Sequence, residues 1–455
     1  MSPEPREPMP ESVARLVSVL RAALVVTLLA LALVHASQLI NYSQYYRGLA
    51  GPLVGTIAFL GLAAGLFAPW AWVRWTTGWL GGLLALQCLL TPLVRDVDFI
   101  VLPPDVTEVI DVRGDGMPGI EGAQRITTDD QGFRTTEPID YSRPAAGLRV
   151  FTIGGSTTEE IHHDDRRTWS HLLGEQLSER LGRQVEMVNT GVSGTRTPHH
   201  AATLEHILPL HPDVAVFLVG VNDWNEHVRR LGLFGAGRLP ESFAVLETHR
   251  RLRALTLGES LIAVAIERAK SSRLFGATAE ASAPRIERGE YYTRQNHSLD
   301  RPKRVELRLD GVDPIFDAYL HRIAATCHRA AIVCIFVTQP HGYRSNTTPE
   351  YRARFWMTPP NADYTLDLAS LEAIADLYNR HLVQTGRELG IPVCDVADGI
   401  EPSFHHLYDE VHLNLEGSRR LAELLAPCVA AAVIAAEDED SLIGAARAGA
   451  GGAAT

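Results

Sequence analysis

A nearly uncharged stretch constrains this 455-residue chain more than any other feature, because Ala22–Val94 contains only two formally charged residues. A membrane-spanning helix needs about 20 mostly apolar residues. Ala22–Ile40 provides one such segment, and Pro52–Val94 is long enough for two, divided by a turn near Pro69–Thr77. These segments lack the amphipathic periodicity of helices in a soluble bundle. The sequence therefore predicts an N-terminal membrane region over residues 1–95 with about three transmembrane helices.

The distribution of arginines predicts how this region is oriented. Arg6, Arg15 and Arg21 precede the first segment and Arg74 lies in the turn, whereas the first loop contains Arg47. Positive charge is enriched in cytoplasmic loops, so the N-terminus is predicted to be cytoplasmic. Three crossings then place everything after this region outside the cytoplasm, on the periplasmic or extracellular face.

Two further features bear on the membrane boundaries. Four of the seven tryptophans lie between Trp70 and Trp79, as expected of an aromatic belt at a membrane interface. The tripeptide Val34–Ala36 has the small-residue pattern of a signal-peptidase site. Cleavage there would remove the first segment, and the two remaining segments would still end outside the cytoplasm.

The rest of the chain is acidic and sparse in cysteine. The formal net charge is −12, although the charged residues of the membrane region are mostly arginines. A protein with this balance is a poor partner for nucleic acid. Five cysteines are too few for a disulfide scaffold in a chain of this length. Cys334 and Cys394 are predicted to be buried free thiols, and Cys88 lies in a membrane segment. The sequence allows a disulfide bond in the domain outside the membrane but does not indicate one.

Beyond the membrane region, the amino-acid composition changes at residue 96 and the hydrophobic periodicity changes at residue 148. Residues 96–147 are rich in Asp, Gly and Pro and are predicted to form a linker or small subdomain with a hairpin around Arg125–Arg134. Short apolar runs then alternate with helical patterns over residues 148–435, which predicts a parallel sheet covered by helices on both faces. In such sheets, functional residues lie at the carboxyl ends of the strands. The predicted strands are Leu148–Ile153, Val185–Asn189, Val214–Val219, Ile332–Thr338 and Pro392–Val396.

Helical patterns fill the intervals between these strands. The interval 225–312 is long for a single connection. It contains two amphipathic patterns, Glu241–Leu255 and Glu259–Lys270, and is interpreted either as a cap over the site or as solvated helices. Residues 436–455 are acidic and then Gly/Ala-rich, and are predicted to be a disordered tail. The other predicted helices are Trp169–Leu181, one from about His199, Tyr319–Ala330, Leu368–Leu389 and Leu415–Ile434.

Residues with the chemistry of acyl transfer stand at the carboxyl ends of the predicted strands and before the last helix. They are Ser156, Gly194, Asn222, Asp409 and His412. Each short motif alone is compatible with a turn or a helix cap. Their shared position at one edge of the predicted sheet favours a single site that contains a nucleophile, a base and oxyanion donors.

These blocks, in this order, resemble those of the SGNH (GDSL) hydrolase family over roughly residues 148–435, and the membrane region takes no part in the resemblance. The resemblance implies a three-layer α/β/α, flavodoxin-like domain of about five parallel strands and a serine hydrolase without a cofactor. One departure lies in the first block, where Gly154-Gly155-Ser156 stands in place of the family's Gly-Asp-Ser. That aspartate is not a member of the triad, so the departure bears on how the loop is anchored.

The resemblance also assigns a role to each residue. Ser156 is the nucleophile, and His412 is the base that removes its proton and later protonates the leaving alcohol. Asp409 fixes the imidazole tautomer. The oxyanion hole consists of the N–H groups of Ser156 and Gly194 and the side-chain amide of Asn222, which donate to the negative charge of the transition state.

Two histidine-containing segments are weaker candidates for a site. The run His162–Asp165 offers metal-ligand residue types, but consecutive residues do not easily converge on one ion. His405 and His406 lie close to Asp409 in sequence and either line the pocket or occupy a loop. We expect neither a metal nor a cofactor.

The sequence therefore predicts a membrane-embedded serine esterase whose catalytic domain lies outside the cytoplasm. Its expected substrates are acyl esters, above all O-acetyl esters, of cell-envelope carbohydrate or lipid. An O-acyltransferase that modifies an envelope polysaccharide would use the same residues. A catalytically silent membrane scaffold or binding module is the third interpretation.

Overall fold

The computed structural model describes residues 10–40, 50–112, 117–234, 242–264, 303–355 and 364–451. The described residues of Met1–Val97 and Glu241–Ala281 form one compact unit, and those of Asp98–Pro240 and Ser282–Thr455 form a second. We call them the first and second units and describe each by itself.

The described chain begins with helices, and strands and helices are mixed thereafter. The α-helices are α1 (Glu11–Ile40), α2 (Ala50–Gly65), α3 (Ala71–Val94), α4 (Ser156–Glu159), α5 (Trp169–Leu181), α6 (Thr197–Ile207), α7 (Val221–Phe234), α8 (Phe243–Leu252), α9 (Pro314–Ala330), α10 (Pro349–Arg352), α11 (Leu368–Leu389) and α12 (Leu415–Gly451). The strands are β1 (Thr107–Val112), β2 (Gly122–Thr127), β3 (Leu148–Gly154), β4 (Val185–Asn189), β5 (Val214–Leu218), β6 (Lys303–Val305), β7 (Val333–Val337), β8 (Tyr364–Leu366) and β9 (Val393–Cys394).

The first unit contains the apolar helices of the N-terminal region. Within the described residues, two helices are long and apolar enough to cross a membrane, Glu11–Leu39 and Ala71–Val94. Helix α2 has 16 residues and falls short of the length that a span needs. The described residues therefore contain two helices of spanning length, where about three were predicted, and α2 is a third, shorter apolar helix between them. Helix α2 ends at Gly65, and the turn before α3, which begins at Ala71, takes up part of the apolar stretch.

Glycines on these helices show the direction in which each one runs. A Cβ on Gly81 of α3 would lie 3.2 Å from Leu28 of α1 and 3.8 Å from Leu62 of α2. Gly65 of α2 lies against Thr77, and Gly55 of α2 lies against the ring of His35. Residue numbers thus fall along α2 as they rise along α1 and α3. Helix α2 is antiparallel to both neighbours, and α1 and α3 run in the same direction.

A segment from the long interval of the chain packs on the carboxyl ends of α1 and α3. His249 Nε2 lies 2.9 Å from the Ser37 carbonyl oxygen, and the Leu257 N–H donates to His35 Nε2 at 2.9 Å. The Arg95 guanidinium donates to the Glu259 carbonyl at 3.3 Å. We call residues 242–264 the docked segment. The predicted helix Glu241–Leu255 corresponds to α8, and Glu259–Lys270 lies within the described residues only as far as Val264.

The second unit contains a five-stranded parallel sheet in the order β4-β3-β5-β7-β9. Residues of β3 from Val150 to Gly154 pair in register with Val214–Leu218. Helix α5 packs against α12, and α6 packs against α9, which also contacts α11, so helices cover both faces of the sheet. This order is that of flavodoxin-like folds. The predicted three-layer α/β/α architecture with five parallel strands is confirmed.

The local boundaries differ from expectation at three places. The hairpin is formed by β1 and β2, earlier than Arg125–Arg134, and Arg134 instead forms bridges with Thr128 and Asn189. Strand β9 has only two residues. Helix α12 continues to Gly451, where we predicted a disordered tail from residue 436, because alanine-rich sequence favours helix continuation.

Four cysteines of the second unit form disulfide bonds. Cys327 pairs with Cys334 across seven residues, and Cys394 pairs with Cys428 across 34 residues. The prediction that Cys334 and Cys394 are free thiols is therefore wrong. Each of these two cysteines lies on a strand and finds its partner on a helix beside the sheet, with Cα atoms 6.0 and 5.9 Å apart, and spacing along the chain did not indicate this proximity.

Candidate active site

The turn after strand β3 presents Ser156 at the carboxyl edge of the sheet. Strand β3 ends at Gly154, and α4 begins at Ser156. The Ser156 Oγ lies 2.7 Å from His412 Nε2, and His412 Nδ1 lies 2.7 Å from Asp409 Oδ2. Asp409 is 2% exposed and His412 is 5% exposed. The structure thus joins the three residues in one chain of hydrogen bonds, largely shielded from water.

The turn Asp409–His412 orients its own side chains. Asp409 Oδ1 accepts the N–H groups of Val411 at 3.0 Å and His412 at 2.8 Å. The Tyr351 hydroxyl donates to the Asp409 carbonyl at 2.7 Å. Because the carboxylate accepts a hydrogen bond from the Nδ1–H, the Nε2 lone pair of His412 faces the serine hydroxyl, as a general base requires. Tyr351 lies 58 residues from Asp409, and the sequence carried no signal for this contact.

Gly194 and Asn222 approach the same turn from two other strand ends. Gly194 has a φ of +80°, a backbone conformation that favours glycine. The Asn222 side-chain amide donates to the Thr195 carbonyl at 2.9 Å. A Cβ on Gly155 would lie 2.6 Å from the Asn222 nitrogen, so this amide rests directly on the backbone before Ser156. A primary amide has two N–H groups, and donation to Thr195 occupies only one of them.

Thr195 supports this arrangement, and sequence analysis did not single it out. Its hydroxyl donates to the carbonyls of Gly154 at 3.0 Å and Val192 at 2.7 Å, and lies 3.2 Å from His200 Nε2. Burial, together with the nearby Arg196 charge, lowers the pKa of His200 to about 3. His200 is therefore neutral at physiological pH and takes part as a hydrogen-bonding group without a charge.

Asp223, the neighbour of Asn222, joins the first turns of α6 and α7. Its Oδ1 accepts the Thr197 N–H at 3.1 Å and the Thr197 hydroxyl at 2.8 Å. Burial raises the pKa of Asp223 to about 7, and the bonds from Thr197 oppose that shift only in part. This carboxyl group therefore changes its protonation state near neutral pH, one residue from Asn222.

Arg134 fixes the far end of α4. Its guanidinium, 3% exposed, bonds to Asp165 Oδ1 at 2.7 Å and to the carbonyls of Glu160 at 2.9 Å and His163 at 2.8 Å. It also donates to the carbonyl of Glu159. A buried cation at the carboxyl end of a helix complements the helix dipole. We predicted this arginine at the end of a hairpin in a linker or small subdomain, without a role in the site.

A crevice open to solvent, of about 180 Å³, adjoins the serine. The Tyr408 ring stacks on the His412 ring, with centroids 5.5 Å apart and planes 8° from parallel. The crevice is lined by Ser156, Thr157, Glu160, His162, His163, Tyr408, His412 and Leu413.

The residues of the His162–Asp165 run contact different partners. His163 Nδ1 lies 3.3 Å from Glu160 Oε1, and Asp165 pairs with Arg134. His162 lines the crevice beside Ser156. The run does not form a shared ligand set among these described contacts, and the expectation that the enzyme uses no metal stays a prediction.

A different trio, His405, His406 and Glu416, brings possible ligand atoms within 4.8 Å of one another. However, the Glu416 carboxylate is bonded by Arg419, and His406 Nδ1 accepts the Glu401 N–H at 3.1 Å. A metal ion would have to displace these bonds. The trio therefore fits a set of loop contacts better than a metal site.

Comparison with protein families gives one match. The model of the GDSL-like lipase/acylhydrolase family matches residues 152–420, which is more than half of the chain. The match includes every residue of the candidate site except Arg134. No curated protein matches the chain.

Solved structures include 34 chains that match. An acetyl xylan esterase is 14% identical, with a TM-score of 0.33, and the match covers 62% of this chain and all of that one. An acetylxylan esterase from Geobacillus stearothermophilus is 13% identical, with a TM-score of 0.33 and coverages of 63% and 96%. A GDSL-like lipase from Bacteroides thetaiotaomicron is 13% identical, with a TM-score of 0.29 and coverages of 65% and 91%.

Proposed function

Because this chain belongs to the GDSL-like lipase/acylhydrolase family, we propose that it hydrolyses carboxylic esters through an acyl-enzyme on Ser156. The observation that carries the proposal is the chain of hydrogen bonds Ser156–His412–Asp409, with 2.7 Å at each link. A serine hydroxyl in contact with an oriented imidazole is the arrangement that makes this weak nucleophile reactive.

The geometry supports a two-step reaction. The Ser156 Oγ attacks the ester carbonyl while His412 Nε2 takes its proton, and the carbonyl oxygen becomes an oxyanion. The Gly194 N–H, the Ser156 N–H and the Asn222 amide donate to this oxyanion. The ester C–O bond then breaks as His412 returns the proton to the leaving alcohol. Water attacks the acyl-serine with His412 again as the base, which releases the carboxylic acid and restores Ser156.

The crevice beside Ser156 supports a small acyl group. The polar and imidazole side chains in its wall suit acetyl better than a long alkyl chain, which needs an apolar surface to bury it. We therefore propose that the substrates are O-acetyl esters. A domain outside the cytoplasm would meet such esters on carbohydrate or lipid of the cell envelope.

We also propose that the first unit anchors the protein in a membrane and that the second unit lies outside the cytoplasm. Helices α1 and α3 run in the same direction, so their carboxyl ends face one side, opposite to Arg15 and Arg21 at the start of α1. The positive-inside rule puts those arginines in the cytoplasm. The two disulfide bonds of the second unit fit an oxidising compartment.

The activity is tested on the full chain in detergent micelles with p-nitrophenyl acetate, butyrate and octanoate. We expect turnover of the acetate, much less of the octanoate, and none with Ser156→Ala. A fluorophosphonate probe should label wild-type Ser156. Equal turnover of all three esters would overturn the proposed acyl size. Turnover retained by Ser156→Ala would overturn the nucleophile, and absence of both turnover and labelling would favour a silent scaffold.

Adding acetylated and unacetylated glycan separates the two enzymatic interpretations. Free acetate as the product supports the hydrolase. Transfer of acetyl to added glycan in preference to water would show the acyltransferase, which needs the same residues.

The location is tested by counting reactive thiols in the denatured full chain. Without reductant we expect one maleimide-reactive cysteine, Cys88, out of the five in the sequence. With reductant we expect all five. Five reactive thiols without reductant, in protein taken directly from cells, would contradict the oxidised state and the proposed compartment.

A further inference from the structure

Helix α4 ends in the buried carboxylate of Glu159, which reaches the loop between β4 and α6. We call this loop, residues 190–196, the oxyanion loop. We propose that Glu159 is a positioning residue, which holds the loop residue Ser193 so that the next N–H, that of Gly194, faces the oxyanion. This inference rests on the proposed esterase function and names the residue that couples its nucleophile to one of its oxyanion donors.

The contact between Glu159 and the loop is short and double. Glu159 is 2% exposed, and its Oε2 lies 2.5 Å from both the Ser193 nitrogen and the Ser193 Oγ, each of which donates to it. Hydrogen bonds to a carboxylate are shorter and about twice as strong as neutral ones. Because Ser193 is bonded through its backbone and its side chain, both its position and its rotation are fixed.

The peptide group after Ser193 is the one that carries the proposed donor. The Gly194 N–H belongs to the peptide bond between Ser193 and Gly194, so any rotation of Ser193 redirects it. The φ of Gly194, +80°, leaves the loop in a conformation that few other residues adopt. The Val192 N–H and the Thr195 hydroxyl also hold this loop against the serine turn, since both donate to the Gly154 carbonyl. The bonds from Glu159 act on the residue directly before the donor, and Glu159 lies on the same helix as Ser156.

Two other contacts lay the start of the same loop on α4. The Asn189 amide donates to the Thr158 carbonyl at 2.6 Å and accepts the Gly191 N–H at 2.9 Å. A Cβ on Gly191 would lie 2.2 Å from the Glu159 nitrogen, so the backbones touch. These contacts with α4 reach only as far as Gly191. Glu159 adds a contact two residues later, at Ser193, which directly precedes the proposed donor Gly194.

The first block of this chain explains why the anchor is placed on the far end of α4. Residue 155 is a glycine, and a side chain there would collide with the Asn222 amide at 2.6 Å. The turn before Ser156 therefore has no side chain with which to hold the oxyanion loop. Glu159, at the other end of α4, instead provides a side chain that bonds this helix to Ser193 of the oxyanion loop.

The test compares Glu159→Gln and Ser193→Ala with Ser193→Thr, which keeps both donors. Glu205→Gln is the matched control, because Glu205 is a half-exposed carboxylate that pairs with Arg322 on the surface of the same unit. Each variant is measured as the full chain in detergent micelles with p-nitrophenyl acetate and with the corresponding thionoacetate. The larger and softer sulfur is a poor ligand for an oxyanion hole, so the ratio of the two rates reports donor alignment.

We expect Glu159→Gln to lower kcat about 10- to 100-fold with KM within about twofold, since complete loss of one oxyanion donor costs about 10²–10³-fold. The ratio of oxoester to thionoester rates should fall with kcat. Ser193→Ala should show a smaller loss in the same direction, and Ser193→Thr and Glu205→Gln should retain both rates and ratio. Thermal midpoints of all variants show whether folding contributes.

Two results would overturn the inference. One is a Glu159→Gln enzyme with wild-type kcat. The other is a lower kcat with an unchanged rate ratio, which would make Glu159 a structural residue only. If the wild-type protein turns over no ester, the proposed function fails, and the inference is then judged by fluorophosphonate labelling of Ser156. Equal labelling rates in wild type and Glu159→Gln would refute it.

Discussion

At the scale of single residues, the glycine before the nucleophile has a packing role. The family resemblance leads one to expect aspartate at position 155, where this chain has glycine. The Asn222 nitrogen lies where a Cβ would approach to 2.6 Å, below any normal contact distance. The smaller residue therefore lets an oxyanion donor lie against the backbone of the turn.

This contact makes a prediction that runs against the family pattern. Gly155→Asp, which restores the family's first block, should push the Asn222 amide away and lower kcat by at least about tenfold, toward the loss of a complete donor. Steady-state kinetics with p-nitrophenyl acetate measure the change, and Asn222→Ala in the same series sets its upper limit. A Gly155→Asp variant as active as the wild type would show that the amide has another position available.

At the scale of secondary-structure elements, the sheet explains why the site was predictable. Alternating patterns located the strands because buried parallel strands are continuous apolar runs between amphipathic helices. Ser156, Gly194 and Asn222 each follow a strand that the pattern identified. Parallel topology brings such ends together, so the candidate residues could be named before any contact was known.

The contacts that hold these elements in place were not predictable. Arg134 and Glu159 are an arginine and a glutamate among many, and their partners depend on backbone atoms and loop conformations that no periodicity encodes. The same holds for the disulfide partners, since Cys394 and Cys428 lie 34 residues apart. The docked segment also contacts residues more than 200 positions away, such as His35 with Leu257.

Helices α6 and α7 are coupled through Asp223, which makes stability depend on pH. Burial raises its pKa from an ordinary 3.8 to about 7 in the folded state. When the pKa of a carboxyl group rises on folding, its stabilising contribution is complete at pH values below the pKa of the unfolded state. That contribution is lost as pH rises through the pKa of the folded state. The free energy of unfolding should therefore fall between about pH 4 and pH 8 because of this group.

Asp223→Asn should remove this dependence, because an amide stays neutral and keeps the oxygen that accepts from Thr197. Relative to wild type, the variant should gain stability as pH rises from 5 to 8. The gain should be on the order of a few kcal/mol, since one pKa unit corresponds to about 1.4 kcal/mol. Thermal midpoints of the full chain at several pH values measure it, with the exposed Asp310→Asn as control. Parallel curves for wild type and Asp223→Asn would refute the assignment.

At the scale of the whole molecule, one compact unit combines two segments that are far apart in the sequence. The docked segment, residues 242–264, lies between α7 and β6 in sequence, yet it packs with the N-terminal helices. Leu255 and Leu257 lie against the apolar cluster that contains Leu28, Phe59 and Ala85. Removal of the N-terminal region, an obvious way to obtain a soluble enzyme, would therefore leave these leucines without their partners.

We accordingly predict that a fragment of residues 96–455 aggregates or binds detergent, although its sheet contains no residue of the deleted part. Uncovered apolar surface of this kind drives self-association. The measurement is size-exclusion chromatography with light scattering, without detergent, on the fragment and on the same fragment with Leu255→Ser and Leu257→Ser. The double variant should be largely monomeric because the substitutions remove the apolar contact surface. A monomeric unmodified fragment would show that the docked segment can hide its leucines without α1–α3. Aggregation of both fragments to the same extent would place the cause elsewhere in the deleted region's contacts.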